Sequence, residues 1–175
     1  MKGVLKELGG GDRRSIGRSE EVAKAVLSNA SKFADVFSGM LGEDRLIRMR
    51  SADAVEKVTA IRPELLQPYK SQLLRLVSTC PDKEVRWHVA QMLPRLTLTS
   101  AEEKRAVEIL VEYLDDDSRI VKTFSMQALA DLALRNRQLL PLVIPIVERC
   151  THSGSPAMTS RGRKLLKKLW RIAEA

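Results

Sequence analysis

The residues that could do chemistry in this chain are few. Cys80 and Cys150 are its only thiols, and His88 and His152 its only imidazoles. Neither histidine belongs to a Cys, His or carboxylate pattern that fits a metal site. A phosphate-cradling glycine loop, a Gly-x-Ser-x-Gly elbow and a His-Glu-x-x-His helix are all missing from the sequence. The expectation is therefore a protein without catalysis, cofactor, metal or small-molecule substrate. What the chain does hold is charge. Its formal net charge is +8, which favours an acidic partner. The excess lies at the two ends, because Glu102, Glu103, Glu108, Glu112 and Asp115 to Asp117 outnumber Lys104 and Arg105 in the middle. Near the C-terminus Arg161, Lys164, Lys168 and Arg171 recur at i, i+3, i+7 and i+10, with Arg163 and Lys167 alongside and Trp170 between them. Such a helix face can neutralise phosphates, and a tryptophan can stack on a base. The plainer reading is a capping helix that needs a soluble outside and places cations at its C-terminal dipole.

A repeat must position these groups. In PDKEVRWHVAQMLPRL, Val85, Val89, Ala90, Leu93 and Leu96 cover one arc of a helix at about 100° per residue. Moving back 38 residues puts Ile47, Ser51, Ala52, Val55 and Val58 on the same positions, with Arg48 in the slot of Arg86. Moving forward 36 gives Val121, Ser125, Met126, Leu129 and Leu132, with Lys122 in that slot. A further 37 gives Met158, Gly162, Arg163, Leu166 and Leu169, a degraded copy. A period in the mid-thirties signals a helical solenoid. Second helices fall between these copies. Pro63 or Pro68 opens one running to Ser78; Ser100 with Glu103 reads as a capping box for Ala101 to Leu114; a third runs from about Gln138 to Arg149. Pro145 and Pro94 should bend their helices. Ser155 and Pro156 open the last helix. Ser19 is read as the cap of a segment running to Leu41, in one helix or in two broken near Ser28 and Asn29.

PDKEVRWHVAQMLPRL and DDDSRIVKTFSMQALADLA resemble the HEAT-repeat family in their acidic turn, their apolar residue followed by a base, and their spaced leucines. The resemblance covers Asp44 to Leu169. It implies an all-α, right-handed alpha-alpha superhelix, an ARM-like solenoid of about four helix pairs with capping helices at both ends. It also implies a protein-binding scaffold, with nucleic-acid binders, bilin lyases and alkyl-base glycosylases as minorities. The glycosylase chemistry, as the family has it, needs an acid among aromatics in a basic cleft, and Glu108 and Glu112 beside Tyr113 alone do not supply one. The acid wanders, lying three residues before the apolar position at Asp44 and Asp82 but four before it at Asp117, so a regular Asp to Arg ladder is not expected.

Two surfaces follow from the repeat register. Arg50, His88, Phe124 and Arg161 are copies of one outward position, and Lys57, Arg95, Asp131 and Lys168 of another; stacked, they would form a convex ridge broken in the third copy. On the second helices Leu76, Ile109, Tyr113, Leu142 and Ile146 form an apolar row on the concave side, a candidate site for another protein, with Trp87 as a further anchor. Seam filling is the simpler role for that row. Residues 1–18 combine three consecutive glycines with Lys2, Lys6, Arg13, Arg14 and Arg18, and read as a flexible basic tail before a single domain at 19–175. Cys80 and Cys150 belong to repeats two apart, on the order of 20 Å from each other, beyond disulfide reach. Free thiols and a cytoplasmic location are expected. Residues 1–20 hold no apolar run of signal-peptide length, and nowhere are there eighteen consecutive apolar residues.

The expected function is a non-catalytic adaptor that binds a protein through its concave face. The alternative is a nucleic-acid-associated protein using the basic C-terminal helix and the tail.

Overall fold

The computed structural model describes residues 3–12 and 15–174, and the regular structure among them is helical throughout. Sequence suggests one domain over 19–175; the internal contacts divide the chain into two compact units, Met1–Thr97 and Leu98–Ala175.

In the first unit α1 (Gly3–Lys6), α2 (Ser19–Ser28) and α3 (Phe33–Gly39) precede α4 (Arg45–Ile61), α5 (Lys70–Thr79) and α6 (Lys83–Met92). Asn29 separates α2 from α3: its side chain accepts from Ser31 N at 3.1 Å and starts a short 3-10 turn. Ser19 does not act as a cap. It is the first residue of α2, it is fully buried, and its hydroxyl donates to Asp53. The repeat core is as the period predicts, with Ile47, Ser51, Ala52, Val55 and Val58 buried on α4 and Val85, Val89 and Ala90 buried on α6. Pro94 ends α6 rather than bending it, since Leu93–Arg95 continues as a 3-10 turn. A proline ring excludes the carbonyl one turn back, and the tighter turn removes that conflict.

The basic slot of the repeat has a structural task. Arg48 Nη1 donates to Gly42 O at 2.9 Å and to Glu43 O at 2.7 Å. Arg86 Nη1 repeats this on Cys80 O at 3.2 Å and Pro81 O at 2.7 Å. Each arginine staples the loop that enters its own helix. Arg48 also pairs with Asp82, Nε to Oδ2 at 2.8 Å, so an Asp to Arg rung forms here although the wandering acid argued against a regular ladder.

The predicted convex ridge is not present in this unit. Arg50 and His88 are each 2% exposed. The segment expected to be a flexible tail covers Arg50, whose guanidinium donates to four main-chain carbonyls: Nε to Ser15 O at 3.1 Å, Nη1 to Leu8 O at 2.8 Å and Gly10 O at 2.6 Å, and Nη2 to Asp12 O at 2.9 Å. Leu8 is fully buried beneath this loop. Gly17 has φ +56°, and a Cβ there would lie 2.6 Å from Arg50 Cζ, so the loop closes on the guanidinium only with glycine at this position. Of the tail cations, Lys2, Arg13 and Arg14 lie outside the described residues, while Arg18 pairs with Glu7 at 3.2 Å.

His88 stacks on Trp87 with ring centroids 3.4 Å apart, and its Nε2 lies 3.7 Å from Asp53 Oδ1. Burial pushes the His88 pKa down from 6.5 to about 4, with Asp53 opposing the shift and Lys57 adding to it. The unfolded chain therefore binds more protons than the folded one between these values. Stability carried by neutral His88 is complete above pH 6.5 and is lost as pH falls towards 4. Urea midpoints at pH 7 and pH 4.5 test this: the acid loss should shrink in His88→Gln, and an equal loss in both proteins would refute it.

In the second unit α7 (Ser100–Glu112) and α8 (Arg119–Arg135) lead to α9 (Leu140–Ser153) and α10 (Pro156–Ala173). The capping box is Thr99 with Glu102, not Ser100 with Glu103. Thr99 N donates to Glu102 Oε2 at 2.8 Å, which leaves Glu103 to accept from Asn136 Nδ2 at 2.6 Å. Val121, Ser125, Met126, Leu129 and Leu132 are buried as the period requires. Pro145 does not interrupt α9, which runs unbroken from Leu140 to Ser153. Both cysteines are free and buried, and desolvation pushes both thiols up.

Candidate polyanion interface

The last helix, α10, is placed by its start and by one close crossing. Ser155 caps it, accepting from Met158 N at 3.4 Å, and Pro156 occupies the first turn as expected. Met158, Gly162, Leu165 and Leu169 form its buried edge, packed on α8 and α9. This edge corrects the degraded fourth copy: Leu165 replaces Leu166, and Arg163 turns outward because a guanidinium without a partner is costly to bury. Gly162 allows the approach to α9, where a Cβ would lie 1.9 Å from Thr151 Oγ1.

With that edge buried, a helix period of about 100° per residue sends the basic residues outward. Arg163, Lys164, Lys167, Lys168 and Arg171 are all exposed, and none of these five forms an ion pair with an acidic side chain among the described residues. Trp170 is 44% exposed on the margin of the same face. Arg161 is half-buried, with its guanidinium carbon 4.7 Å from the Phe124 ring centroid. Arg137, after α8, donates from Nη2 to Ile172 O at the end of α10. All the polyanion-site candidates of the sequence thus occur on one helix, with Arg161 at its α8 flank.

The apolar row behaves differently. Ile109, Tyr113 and Ile146 are 1%, 9% and 8% exposed, so they fill the interior and offer nothing to a partner. An apolar side chain on a second helix finds a packing partner before it finds a ligand. Leu76 and Trp87 are half-buried; Leu142 alone of the row is exposed, at 49%, between the exposed Pro141 and Pro145. Sequence reasoning did not single out Phe124 and Gln127 as site residues. The signal was available, since Phe124 and Arg161 are copies of one position in successive repeats, and such copies become neighbours when repeats stack.

Among the described residues no group of three or more His, Cys, Asp or Glu side chains is placed to hold a metal ion. No helix among them is long and apolar enough to cross a membrane.

No protein-family model matches the sequence, and no curated protein matches it either. Solved structures do. The crystal structure of an engineered protein superposes with a TM-score of 0.66 at 17% identity, covering 96% of this chain and 78% of that one. A designed armadillo repeat protein superposes with a TM-score of 0.65 at 16% identity, covering 95% of this chain and 80% of the other. The chain is an all-α helical-repeat solenoid. At these identities the likeness is one of fold. What bears on the site is that α10 packs one edge against α8 and α9 and exposes the opposite one.

Proposed function

We propose that this solenoid is a non-catalytic binding scaffold that holds an acidic macromolecule against the outer face of α10. The observation that carries the reading is the set of five exposed cations, Arg163, Lys164, Lys167, Lys168 and Arg171, left without acidic partners among the described residues on an otherwise well-packed helix. At about 1.5 Å rise per residue these charges span some 12 Å, a density close to that of a nucleic-acid backbone. The HEAT-like register and the general use of such folds as binding surfaces support the same class of function. A protein partner on the second-helix side is the other reading, favoured by the exposed Leu142 and its flanking prolines. The buried free thiols Cys80 and Cys150 suit a reducing cytoplasmic setting.

Fluorescence anisotropy with a mixed-sequence nucleic acid and with an acidic peptide, each at two salt concentrations, tests the α10 reading. Binding should weaken steeply with salt. Reversal of Lys164, Lys167 and Lys168 to Glu should cost at least about tenfold in affinity and lower the salt slope by about 3. Leu142→Asp should leave this binding intact. Absence of binding to either polyanion at low salt, or indifference to the charge reversals, would remove the reading.

A further inference from the structure

Depressions of similar size flank α10, and their linings differ in charge. The one at the α9 to α10 turn, about 550 Å³, mixes Arg119, Lys122 and Arg149 with Asp115 and Asp117. A polyanion gains little from such a lining. The one between α8 and α10, about 500 Å³, is lined by Phe124 and Gln127 on α8 and by Arg161, Lys164 and Lys168 on α10. Its volume lies within the roughly 300–1,000 Å³ of small-ligand clefts.

The two walls of this second cleft carry complementary halves of one ligand class. The α10 wall carries Lys164 and Lys168, which suit successive phosphates, and Arg161. The α8 wall carries the Phe124 ring, whose centroid lies 4.7 Å from the Arg161 guanidinium carbon, with the Gln127 amide lining the same cleft. Gln127 is itself oriented, donating from Nε2 to Asp131 Oδ1 at 2.9 Å, which commits its amide nitrogen and leaves its carbonyl oxygen as an acceptor. Polyglutamate has no ring and would use the cations alone. A duplex keeps its bases stacked inside and would also use the cations alone. Of these three polyanions, a single strand with unpaired bases uses both walls, by stacking on the arginine–aromatic pair.

We infer that the α8–α10 cleft is a nucleotide subsite and that the polyanion held on α10 is single-stranded nucleic acid. This rests on the α10 reading above and specifies its ligand. The base lies against the Phe124–Arg161 pair with the Gln127 carbonyl at its edge, and the backbone follows Lys164 and Lys168 onto the outer face. Sequence preference is weak, since stacking is available to every base.

The test is anisotropy of the full chain with labelled oligo(dT) of fifteen nucleotides, a duplex of the same length and labelled polyglutamate, with inorganic polyphosphate as competitor. The variant Phe124→Leu keeps an apolar side chain of similar size and removes the ring; its thermal unfolding is measured alongside to confirm the fold. Oligo(dT) should bind at least about fivefold tighter than duplex or polyglutamate, and Phe124→Leu should lower oligo(dT) affinity by about fivefold or more while leaving polyphosphate competition unchanged. Equal binding of all three ligands, or no effect of Phe124→Leu on oligo(dT), overturns the subsite and leaves the cationic face standing. Failure of every polyanion to bind overturns both.

Discussion

Replacing Arg50 with alanine should destabilise the first unit by about 3 kcal/mol, more than most single changes in this chain, because charge-assisted bonds contribute about 1.5–3 kcal/mol and several are lost together. The guanidinium donates to the carbonyls of Leu8, Gly10, Asp12 and Ser15, main-chain groups rather than a carboxylate. Deleting it leaves Leu8 O buried without a donor and removes the group against which Gly17 is packed. Arg50→Lys should recover only a small part, since one ammonium cannot reach carbonyls spread around a planar fork. Urea unfolding gives the magnitude, and hydrogen exchange at residues 3–12 gives the place: those amides should lose protection in the variant while α5 and α6 keep theirs. A variant with wild-type midpoint and unchanged exchange would mean that the loop is held by Leu8 burial alone.

The second large effect is expected at the crossing of α9 and α10. Gly162→Val should cost about 3 kcal/mol, the upper part of the usual range for overpacking. The first added carbon already meets Thr151 Oγ1 at 1.9 Å and Thr151 Cβ at 3.0 Å, both on a side chain whose hydroxyl is tied to Val147 O at 2.6 Å. Thr151 cannot rotate away without breaking that bond, so α10 itself must lift. Thr151→Ala should relieve part of the loss in the double variant, with a coupling of about 1 kcal/mol or more in a double-mutant cycle. Additive effects would show that the crossing yields elsewhere. Lifting α10 also disturbs its cleft with α8, so Gly162→Val should weaken oligonucleotide binding more than polyphosphate binding.

How much of this was legible in the sequence depended on whether a residue's environment is set by its own helix or by something that covers it. Val85, Val89 and Ala90 and their copies were readable because periodicity alone assigns a buried arc, and the burial follows it. The α10 cations were readable for the converse reason: five unpaired charges on one arc have no low-energy place except the surface. Arg50 and His88 have outward-pointing positions on α4 and α6, and nothing in those helices says that a glycine-rich segment some 35 to 42 residues earlier will cover Arg50. The consecutive glycines suggested freedom; two of them, with Gly17, take positive φ, and the Gly10 carbonyl accepts from the Arg50 guanidinium. Ile109, Tyr113 and Ile146 were left between a docking row and a filled seam, because an apolar row on a second helix looks the same in sequence whether a neighbour covers it or not; their burial fits the seam.

The side-chain rungs that join successive elements share one length. Arg48 to Asp82 spans 34 residues, Arg95 to Glu56 spans 39 and Asn136 to Glu103 spans 33, each about one repeat. Every such rung closes a loop of nearly the same entropy, and each can close once a single further repeat has emerged during synthesis. Assembly can therefore keep pace with elongation, adding one turn of the array at a time without long stretches of unpaired apolar surface waiting for a distant partner.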